Sequence, residues 1–408
     1  MFDAVLQFLS DDAPMPIAHD LTPLRPDYAG GSIVNLMASL GNALGAAPAP
    51  YAELTALPAA EVAAARRVAL VVIDGLGAEL LEHLDGAGAL SARRRDTMTS
   101  VYPPTTASAI TTFMSGLAPQ QHGLTGWFMH FRRLGAVTAV LPFMPRYARH
   151  GLAGQGVAPA ALIDAPSFAA GLPCAAAALL PADLAESDFS RLLGAGARRD
   201  GYQGLEDFVA RVRRFVGGDD DARYLYAYWP DLDREAHLQG PSSTRVARHF
   251  AALQAALAPL LELAAGSGTL LLVTADHGFV DSPPQLAVDL DDHAELAAML
   301  SLPLCGEPRS AYAYVRPRAT AAFEDYVRDR LDGVATLVAS EDLIADGWYG
   351  PGPAHPELAA RCGDYVLQMK GCHSLRDSVV GERPFALHGH HGGISTAEQR
   401  VPLLVAGP

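Results

Sequence analysis

Three short stretches of the chain are continuously apolar, and each is followed closely by an acidic residue. They cover residues 68–73, 224–229 and 269–274, and the acidic residues that follow include Asp74 and Asp276. Strands with one face in water alternate apolar and polar residues, whereas continuous apolar runs of this length are typical of strands buried on both faces of a parallel sheet. The pattern therefore predicts buried parallel strands with polar groups at their carboxyl ends.

Stretches with apolar residues at helical spacing lie between these runs, at residues 79–84, 205–215 and 245–263. Alternating strands and helices predict an α/β fold with a mostly parallel central sheet and helices on both faces. Such sheets bind their ligands at the carboxyl ends of the strands. We therefore expect the function at the edge where the three apolar runs end.

The segments outside this alternation differ in composition. Residues 1–60 are rich in proline and alanine and are predicted to form a leader packed on the core, whereas residues 135–200 hold many Gly, Pro and Ala residues and are predicted to be an insertion. Residues 290–380 contain a strand–helix–strand pattern and are predicted to form a smaller α+β cap. The α/β core is expected to span residues 61–289 and 381–408, with a last strand at 401–405.

Composition narrows the class of protein. The chain has 408 residues, of which 50% are hydrophobic, so a large buried core is possible. The formal net charge of −15 disfavours a DNA or RNA polymer as partner, because such a surface repels phosphates. A small anionic substrate remains compatible with this charge if bound metal ions invert the local field.

The sequence also indicates a location. No Lys or Arg precedes Arg25, so the basic start of a secretory signal is missing, and no uncharged apolar run of 18 residues or more predicts a membrane span. The four cysteines show no framework spacing and are expected to be reduced thiols. We therefore expect a cytoplasmic protein without a membrane partner.

Asp276-His277-Gly278 is the first candidate for metal binding. A carboxylate and an imidazole at a strand end, followed by a glycine turn, can converge on one cation, although a turn capped by aspartate has the same sequence. Asp74-Gly75 repeats the arrangement after the first strand, where an aspartate can also cap the next helix. Neither motif decides between these interpretations alone.

Two further motifs add candidate ligands. Asp233 and His237 are four residues apart, a spacing that places both on one helix face, and Asp231 competes with Asp233 for the role. The densest imidazole cluster in the chain reads His388-Gly-His390-His391-Gly-Gly, in which one or two histidines suffice as ligands.

Together these motifs resemble the alkaline phosphatase superfamily, and within it the nucleotide pyrophosphatase/phosphodiesterase branch with its phosphonoacetate-hydrolase-like relatives. The resemblance spans residues 74–408 in the family's motif order and does not cover residues 1–60. The matching segments are Val-Ile-Asp74-Gly, Tyr-Pro-Pro-Thr105-Thr106-Ala-Ser-Ala-Ile-Thr-Thr-Phe-Met-Ser-Gly116, Asp233-Arg-Glu-Ala-His237, Asp276-His277-Gly and His391-Gly-Gly.

The resemblance implies an alkaline-phosphatase-like fold and two divalent metal ions, usually zinc, with manganese or iron as alternatives. Thr106 would be the nucleophile, with Thr105 as the alternative register, and it would touch the first ion. Attack by Thr106 would form a phospho-threonine that water then hydrolyses. The implied ligands are Asp74, Asp276, His277 and Thr106 for the first ion, and Asp233, His237 and His391 for the second.

The implied function is hydrolysis of a small phosphate ester such as a nucleotide, by a phosphodiesterase or nucleotide pyrophosphatase. One departure concerns the substrate subclass: the family carries a phosphoryl-binding Asn shortly after its His-Gly pair, whereas this stretch reads His122-Gly-Leu-Thr125-Gly-Trp127. The backbone of Thr106, the Thr125 hydroxyl or a residue of the insertion are the candidate replacements. A phosphomonoesterase, a phosphonoacetate-type C–P hydrolase and a metal-binding pseudoenzyme are the alternative functions.

Overall fold

The computed structural model describes residues 16–148, 150–380, 382 and 386–408. Within these residues the strands form two larger sheets and two short two-stranded pairs. In chain order the strands are β1 (Arg67–Ile73), β2 (Arg94–Thr99), β3 (Phe128–Phe131), β4 (Ala136–Ala139), β5 (Met144–Pro145), β6 (Ala176–Pro181), β7 (Ala197–Tyr202), β8 (Tyr224–Trp229), β9 (Thr269–Thr274), β10 (Val280–Asp281), β11 (Ala287–Asp289), β12 (Cys305–Glu307), β13 (Ser310–Ala313), β14 (Ala335–Ala339), β15 (Tyr365–Met369), β16 (Ser374–Arg376), β17 (Gly389–His390) and β18 (Arg400–Ala406).

The α-helices of the same residues range from single turns to one helix of 24 residues. In chain order they are α1 (Ile33–Leu44), α2 (Ala59–Val62), α3 (Ala78–Asp85), α4 (Thr106–Ser115), α5 (Pro119–His122), α6 (Asp188–Leu193), α7 (Gly204–Gly217), α8 (Asp231–Gln239), α9 (Thr244–Ser267), α10 (Ala294–Met299), α11 (Thr320–Arg330), α12 (Ser340–Ala345), α13 (Leu358–Arg361) and α14 (Thr396–Gln399).

The central sheet has seven strands in the order β2-β18-β9-β1-β8-β6-β7. β1 lies in its middle and pairs in parallel with both β8 and β9, and all residues of β8 and β9 are buried. β18 runs antiparallel to both of its neighbours, β9 and the edge strand β2. The predicted α/β fold with a mostly parallel sheet is therefore confirmed, and the three apolar runs are its adjacent central strands.

Three strands of this sheet, β2, β6 and β7, were not predicted. β6 and β7 lie within residues 135–200, where the sequence shows no clear long element, yet they pair in parallel and extend the sheet beyond β8. β6 reads Ala-Ala-Ala-Leu-Leu-Pro. Alanine and proline are depleted in strands, so the local sequence does not predict a strand here. The pairing with β8 determines the conformation.

The second sheet also has seven strands, in the order β14-β15-β13-β12-β3-β4-β5. The strand–helix–strand pattern of the predicted cap corresponds to β13, α11 and β14, which surround a separate hydrophobic cluster. β3, β4 and β5 come from residues 128–145, and β3 joins them to β12 through the pairing of Phe128 with Gly306. The cap region thus shares one sheet with a much earlier part of the chain. The domain boundaries given above stay a prediction.

α9 is long and apolar enough to cross a membrane by length and composition alone, a test that core helices also pass. In this fold its buried residues recur every three or four positions, and the helix packs on α7 and β9. Such a single apolar stripe is typical of a helix that covers a sheet. The stripe consists of Val246, Phe250, Leu253, Leu257, Leu260, Leu261 and Ala264.

Candidate metal centre

The first group of candidate ligands lies where β1 and β9 end. The two strands are parallel neighbours, so Asp74 after β1 and Asp276 and His277 after β9 meet at one edge of the sheet. Gly75 makes this approach possible: its φ is +74°, and a Cβ there would lie 2.6 Å from the Phe279 ring. Asp74, Asp276 and His277 form the first ligand group, and all three are buried.

The second ligand group combines a helix turn with a late strand. Asp233 and His237 lie one turn apart on α8, and the His237 Nε2 is 3.4 Å from the Asp233 Oδ1. β17 pairs with β10, which directly follows the Asp276-His277 turn, and this pairing places His391 beside His237. Asp233, His237 and His391 therefore converge although their segments are far apart in sequence.

The Nε2 atoms of the two histidines in the second group, His237 and His391, face each other. The Nδ1 of His237 lies 2.9 Å from the carbonyl oxygen of Gly389, and the Nδ1 of His391 lies 3.2 Å from that of Pro104. A carbonyl only accepts, so both Nδ1 atoms carry the proton and both Nε2 atoms are left unprotonated in the neutral rings. These Nε2 atoms are 3.1 Å apart, an arrangement that a shared cation stabilises and two bare lone pairs do not.

The carboxylates present matching free oxygens. The buried atoms Asp74 Oδ1, Asp233 Oδ1 and Asp276 Oδ2 have no hydrogen-bond partner within the described residues. They lie 3.3, 3.9 and 3.5 Å, respectively, from the Nε2 of His277, whose Nδ1 faces the Gly278 carbonyl. Buried polar atoms are normally satisfied, so these orphaned oxygens fit the donor set of a divalent metal ion.

Burial leaves the centre short of positive charge. Burial and the neighbouring Asp74 raise the pKa of Asp276 to about 8. Burial also raises the pKa of Asp233 to about 7, although the charge of His277 opposes it. The pKa of His237 falls to about 4 because burial disfavours its protonated form. Acids that resist ionisation beside imidazoles that resist protonation indicate a place for a cation from outside the chain.

Thr106 is the hydroxyl that faces this centre. It is the first residue of α4, and its Oγ1 lies 3.3 Å from the Nε2 of His277. Thr105 points elsewhere, because its hydroxyl donates to the Oε1 of Glu307 at 2.5 Å. Burial raises the pKa of Glu307 to about 7, against the hydrogen bonds from Thr105 and from the Trp127 N–H. The geometry thus separates the two threonines that the sequence left as alternatives.

Other residues singled out in the sequence lie outside both ligand groups. Asp231 pairs with Arg234 at 3.1 Å and belongs to neither ligand group. His388 is exposed. His390 is buried and its ring centroid lies 6.1 Å from that of His237, but it belongs to neither ligand group.

Thr125, one of the candidate replacement donors, and the aromatic residues near it in sequence also lie outside both ligand groups. The Thr125 side chain is fully buried next to the thiol of Cys362, away from the ligand groups. Phe128 packs under the Arg146 guanidinium, and Phe131 is 4% exposed, so both are packed aromatics. Trp127 remains 36% exposed.

Sequence reasoning missed two residues of the centre. Tyr228, near the end of β8, donates its hydroxyl to the Oδ2 of Asp74. Its position at the end of a predicted strand was a usable signal. Glu307 reaches the centre from the second sheet, and nothing in its local sequence marks it.

Comparisons with known proteins identify the family and similar folds. The sequence matches the family described as type I phosphodiesterase / nucleotide pyrophosphatase over residues 68–371. The fold is similar to that of murine ectonucleotide pyrophosphatase / phosphodiesterase 5, with a TM-score of 0.64 and 17% identity over 84% of this chain and 88% of the other. An inactive form of that protein in complex with AMP has a TM-score of 0.62 and 16% identity over the same shares. Phosphonoacetate hydrolase from Sinorhizobium meliloti 1021, in complex with phosphonoformate, has a TM-score of 0.60 and 18% identity over 84% of this chain and 90% of the other.

Proposed function

Since the chain belongs to the type I phosphodiesterase / nucleotide pyrophosphatase family, within the alkaline phosphatase superfamily, we propose that it is a two-metal hydrolase of phosphodiester or nucleotide pyrophosphate bonds with Thr106 as nucleophile. One observation carries the proposal: two ligand groups converge, and the hydroxyl of Thr106, at the start of a helix, faces His277 of the first group. Members of this family are enzymes, and both ligand groups keep residue types that can bind metal, which argues against a pseudoenzyme.

We propose zinc for both ligand groups, with manganese or iron as alternatives, because each group mixes carboxylate and imidazole ligands. Asp74, Asp276 and His277 would hold one ion together with Thr106. Asp233, His237 and His391 would hold the other. Bound divalent cations would lower the pKa of the Thr106 hydroxyl and neutralise charge that develops in phosphoryl transfer.

Thr106 performs the covalent step in this proposal. Its Oγ1 forms a bond to phosphorus while the bond from phosphorus to the leaving-group oxygen breaks, and the hydroxyl proton passes to solvent. A water molecule then attacks the phospho-threonine in line, which restores the hydroxyl and releases the phosphorylated product. His277, whose Nε2 lies 3.3 Å from the Thr106 Oγ1, orients the nucleophile in this proposal. Both His277 and Asp74 are buried, which fixes their positions.

The amino end of α4 supplies a replacement for the family's missing asparagine. Thr105 occupies the N-cap position but makes no side-chain cap hydrogen bond, since its hydroxyl is turned to Glu307. The first N–H groups of the helix, beginning at Thr106, therefore stay available to a phosphoryl oxygen. This backbone donor was one of the candidates considered from the sequence, and it supports binding without an asparagine side chain.

The substrate class proposed is a monoanionic diester such as a nucleotide derivative. The neighbour in complex with AMP supports a nucleotide-like ligand. Monoesters carry a second charge and call for an extra cation, but the basic residue of the ligand motifs, Arg234, is 62% exposed and pairs with Asp231. A phosphomonoesterase is therefore the weaker alternative, and a C–P hydrolase is the other.

The test is hydrolysis of bis-p-nitrophenyl phosphate, p-nitrophenyl phosphate and phosphonoacetate by the wild type, after EDTA and after return of Zn²⁺ or Mn²⁺. We expect metal-dependent turnover of the diester that is lost in Thr106→Ala. A matched control is Thr111→Ala on the same helix, whose hydroxyl donates to the backbone carbonyl of Ala107 at 2.6 Å. This control should keep most of the activity.

The outcomes separate the candidate functions. A preference for the monoester would move the function to phosphatase, and release of phosphate from phosphonoacetate alone would move it to a C–P hydrolase. Full activity of Thr106→Ala with any of the three substrates would contradict the proposed nucleophile.

A further inference from the structure

Glu307 lies beside the nucleophile although it belongs to the second sheet. It ends β12, and the residue is 6% exposed. Its Oε1 accepts two hydrogen bonds, from the Thr105 hydroxyl at 2.5 Å and from the Trp127 N–H at 2.6 Å. These contacts fix the carboxylate beside Thr105, the residue that precedes Thr106 in the chain.

The same side chain adjoins the second ligand group. A Cβ on Gly392 would lie 2.7 Å from the Cβ of Glu307, so the glycine after His391 lets the two segments touch. Glu307 therefore lies between the amino end of α4 and the segment that follows His391.

No basic side chain neutralises Glu307 within the part of the chain that the structure describes. Both of its hydrogen-bond donors are neutral groups. The nearest arginine in sequence, Arg309, is committed to Glu398 through a contact of 2.7 Å. The negative charge of Glu307 therefore has no basic partner among the described residues, and it lies beside Thr105 and Gly392, the neighbours in sequence of Thr106 and His391.

The charges of the centre explain what this carboxylate can do. Three carboxylates, of Asp74, Asp233 and Asp276, would leave one net positive charge beside two divalent cations. That surplus would favour a phosphoryl group with two negative charges. Glu307 is a fourth carboxylate and removes the surplus.

We propose that Glu307 selects against dianionic phosphoryl groups and so makes the site prefer monoanionic diesters to monoesters. This inference rests on the two-metal function proposed above and assigns its substrate preference to one residue of the second sheet. Thr105 and Trp127 hold the carboxylate in place through donors that a glutamine at the same position would also satisfy.

The test measures binding without turnover. Thr106→Ala and Thr106→Ala/Glu307→Gln, both loaded with zinc, are titrated calorimetrically with phenylphosphonate, at a pH where it is a dianion, and with its monoanionic methyl ester. We expect Glu307→Gln to tighten the binding of phenylphosphonate about tenfold or more and that of the ester less than about threefold. The repulsion by Glu307 acts on two negative charges in the dianion but on one in the ester. Glu235→Gln in the Thr106→Ala background is the matched control, since Glu235 lies on α8 but pairs with Arg245. It should change neither affinity.

The controls keep each outcome decisive. Glu307→Asp retains the charge and should bind like glutamate, and Glu307→Ala repeats the charge removal if the glutamine variant does not fold. Equal changes for both ligands, no change, or an aspartate variant that behaves like glutamine would overturn the inference. Hydrolysis assays distinguish an error in this inference from an error in the proposed function. If the wild type hydrolyses the diester through Thr106 but Glu307→Gln leaves the preference for diester over monoester unchanged, only the role of Glu307 is wrong. If wild type turns over no ester and neither anion binds, the proposed function fails with it.

Discussion

The guanidinium of Arg309 and the carboxylate of Glu398 face each other in a buried two-point contact, with N–O distances of 2.7 and 3.0 Å. Their side chains are 1% and 0% exposed. Glu398 also accepts the N–H of Gly393 at 2.7 Å, so the pair anchors the segment that carries His391 to the second sheet.

Arg309→Met should therefore destabilise the protein by about 3–5 kcal/mol, because it leaves the Glu398 carboxylate buried without a partner. Urea denaturation measures the change. Arg309→Met/Glu398→Leu should recover most of it, since both charges are then gone. Arg376→Met is the control: that arginine is 45% exposed in its pair with Asp289, and the variant should lose at most about 1 kcal/mol. Equal losses from the two single variants would contradict this account.

A second prediction concerns the metal-free protein. Burial and the neighbouring Asp74 raise the pKa of Asp276 in the folded state to about 8, above the ordinary value of 3.8. The folded state then binds more protons than the unfolded state between these values, so stability should fall as pH rises from about 4 to 8. Thermal melts of EDTA-treated protein measure this slope. Asp276→Asn should flatten it and lose the stabilisation by added Zn²⁺; an unchanged slope would refute the assignment.

A third prediction concerns His19, which bridges Glu79 at 2.6 Å and Asp281 at 2.9 Å. Burial opposes its protonation, but the hydrogen bonds to Asp281 and Glu79 prevail and raise its pKa from 6.5 to about 9. The stabilisation, on the order of 3 kcal/mol, is complete below pH 6.5 and is lost as pH rises through about 9. Urea denaturation of zinc-loaded His19→Gln should lack this loss. His83→Gln, on the same helix as Glu79, should keep the wild-type profile.

A fourth prediction compares two tyrosines of β8. Tyr228 donates to the Oδ2 of Asp74, whereas the hydroxyl of Tyr224 is buried with no partner among the described residues. Groups that orient a metal ligand affect affinity, so Tyr228→Phe should weaken zinc binding about 10–100-fold. Tyr224→Phe makes the same chemical change on the same strand and should leave the affinity unchanged. Chelator competition gives both values, and a similar loss in both variants would count against an orienting role for Tyr228.

The central sheet was predictable because its strands are buried on both faces and therefore carry their signal in composition alone. β1, β8 and β9 are such strands, and they lie next to each other as expected. β6 escaped prediction because alanine gives no strand preference and the pairing partner, β8, lies 40 or more residues along the chain. Local sequence cannot report a pairing of that range.

The ligand candidates followed from the same logic, since parallel strands bring their carboxyl ends together. The choice between Asp231 and Asp233 depended on helix phase, which the spacing to His237 indicates. Glu307 could not be found this way. Its place beside Thr105 results from how the second sheet packs on the first, which is a property of the tertiary fold and leaves no local pattern.

The position of β18 has a consequence for how the protein is made. β18 fills the space between β9 and β2, and the ligand His391 lies just before it in the chain. While the ribosome is still translating the region of β11 to β16, β9 has an open edge and the second ligand group is incomplete. The second candidate ligand group is completed only when His391 has emerged, and the sheet closes only when β18 has followed, so both steps come late in translation.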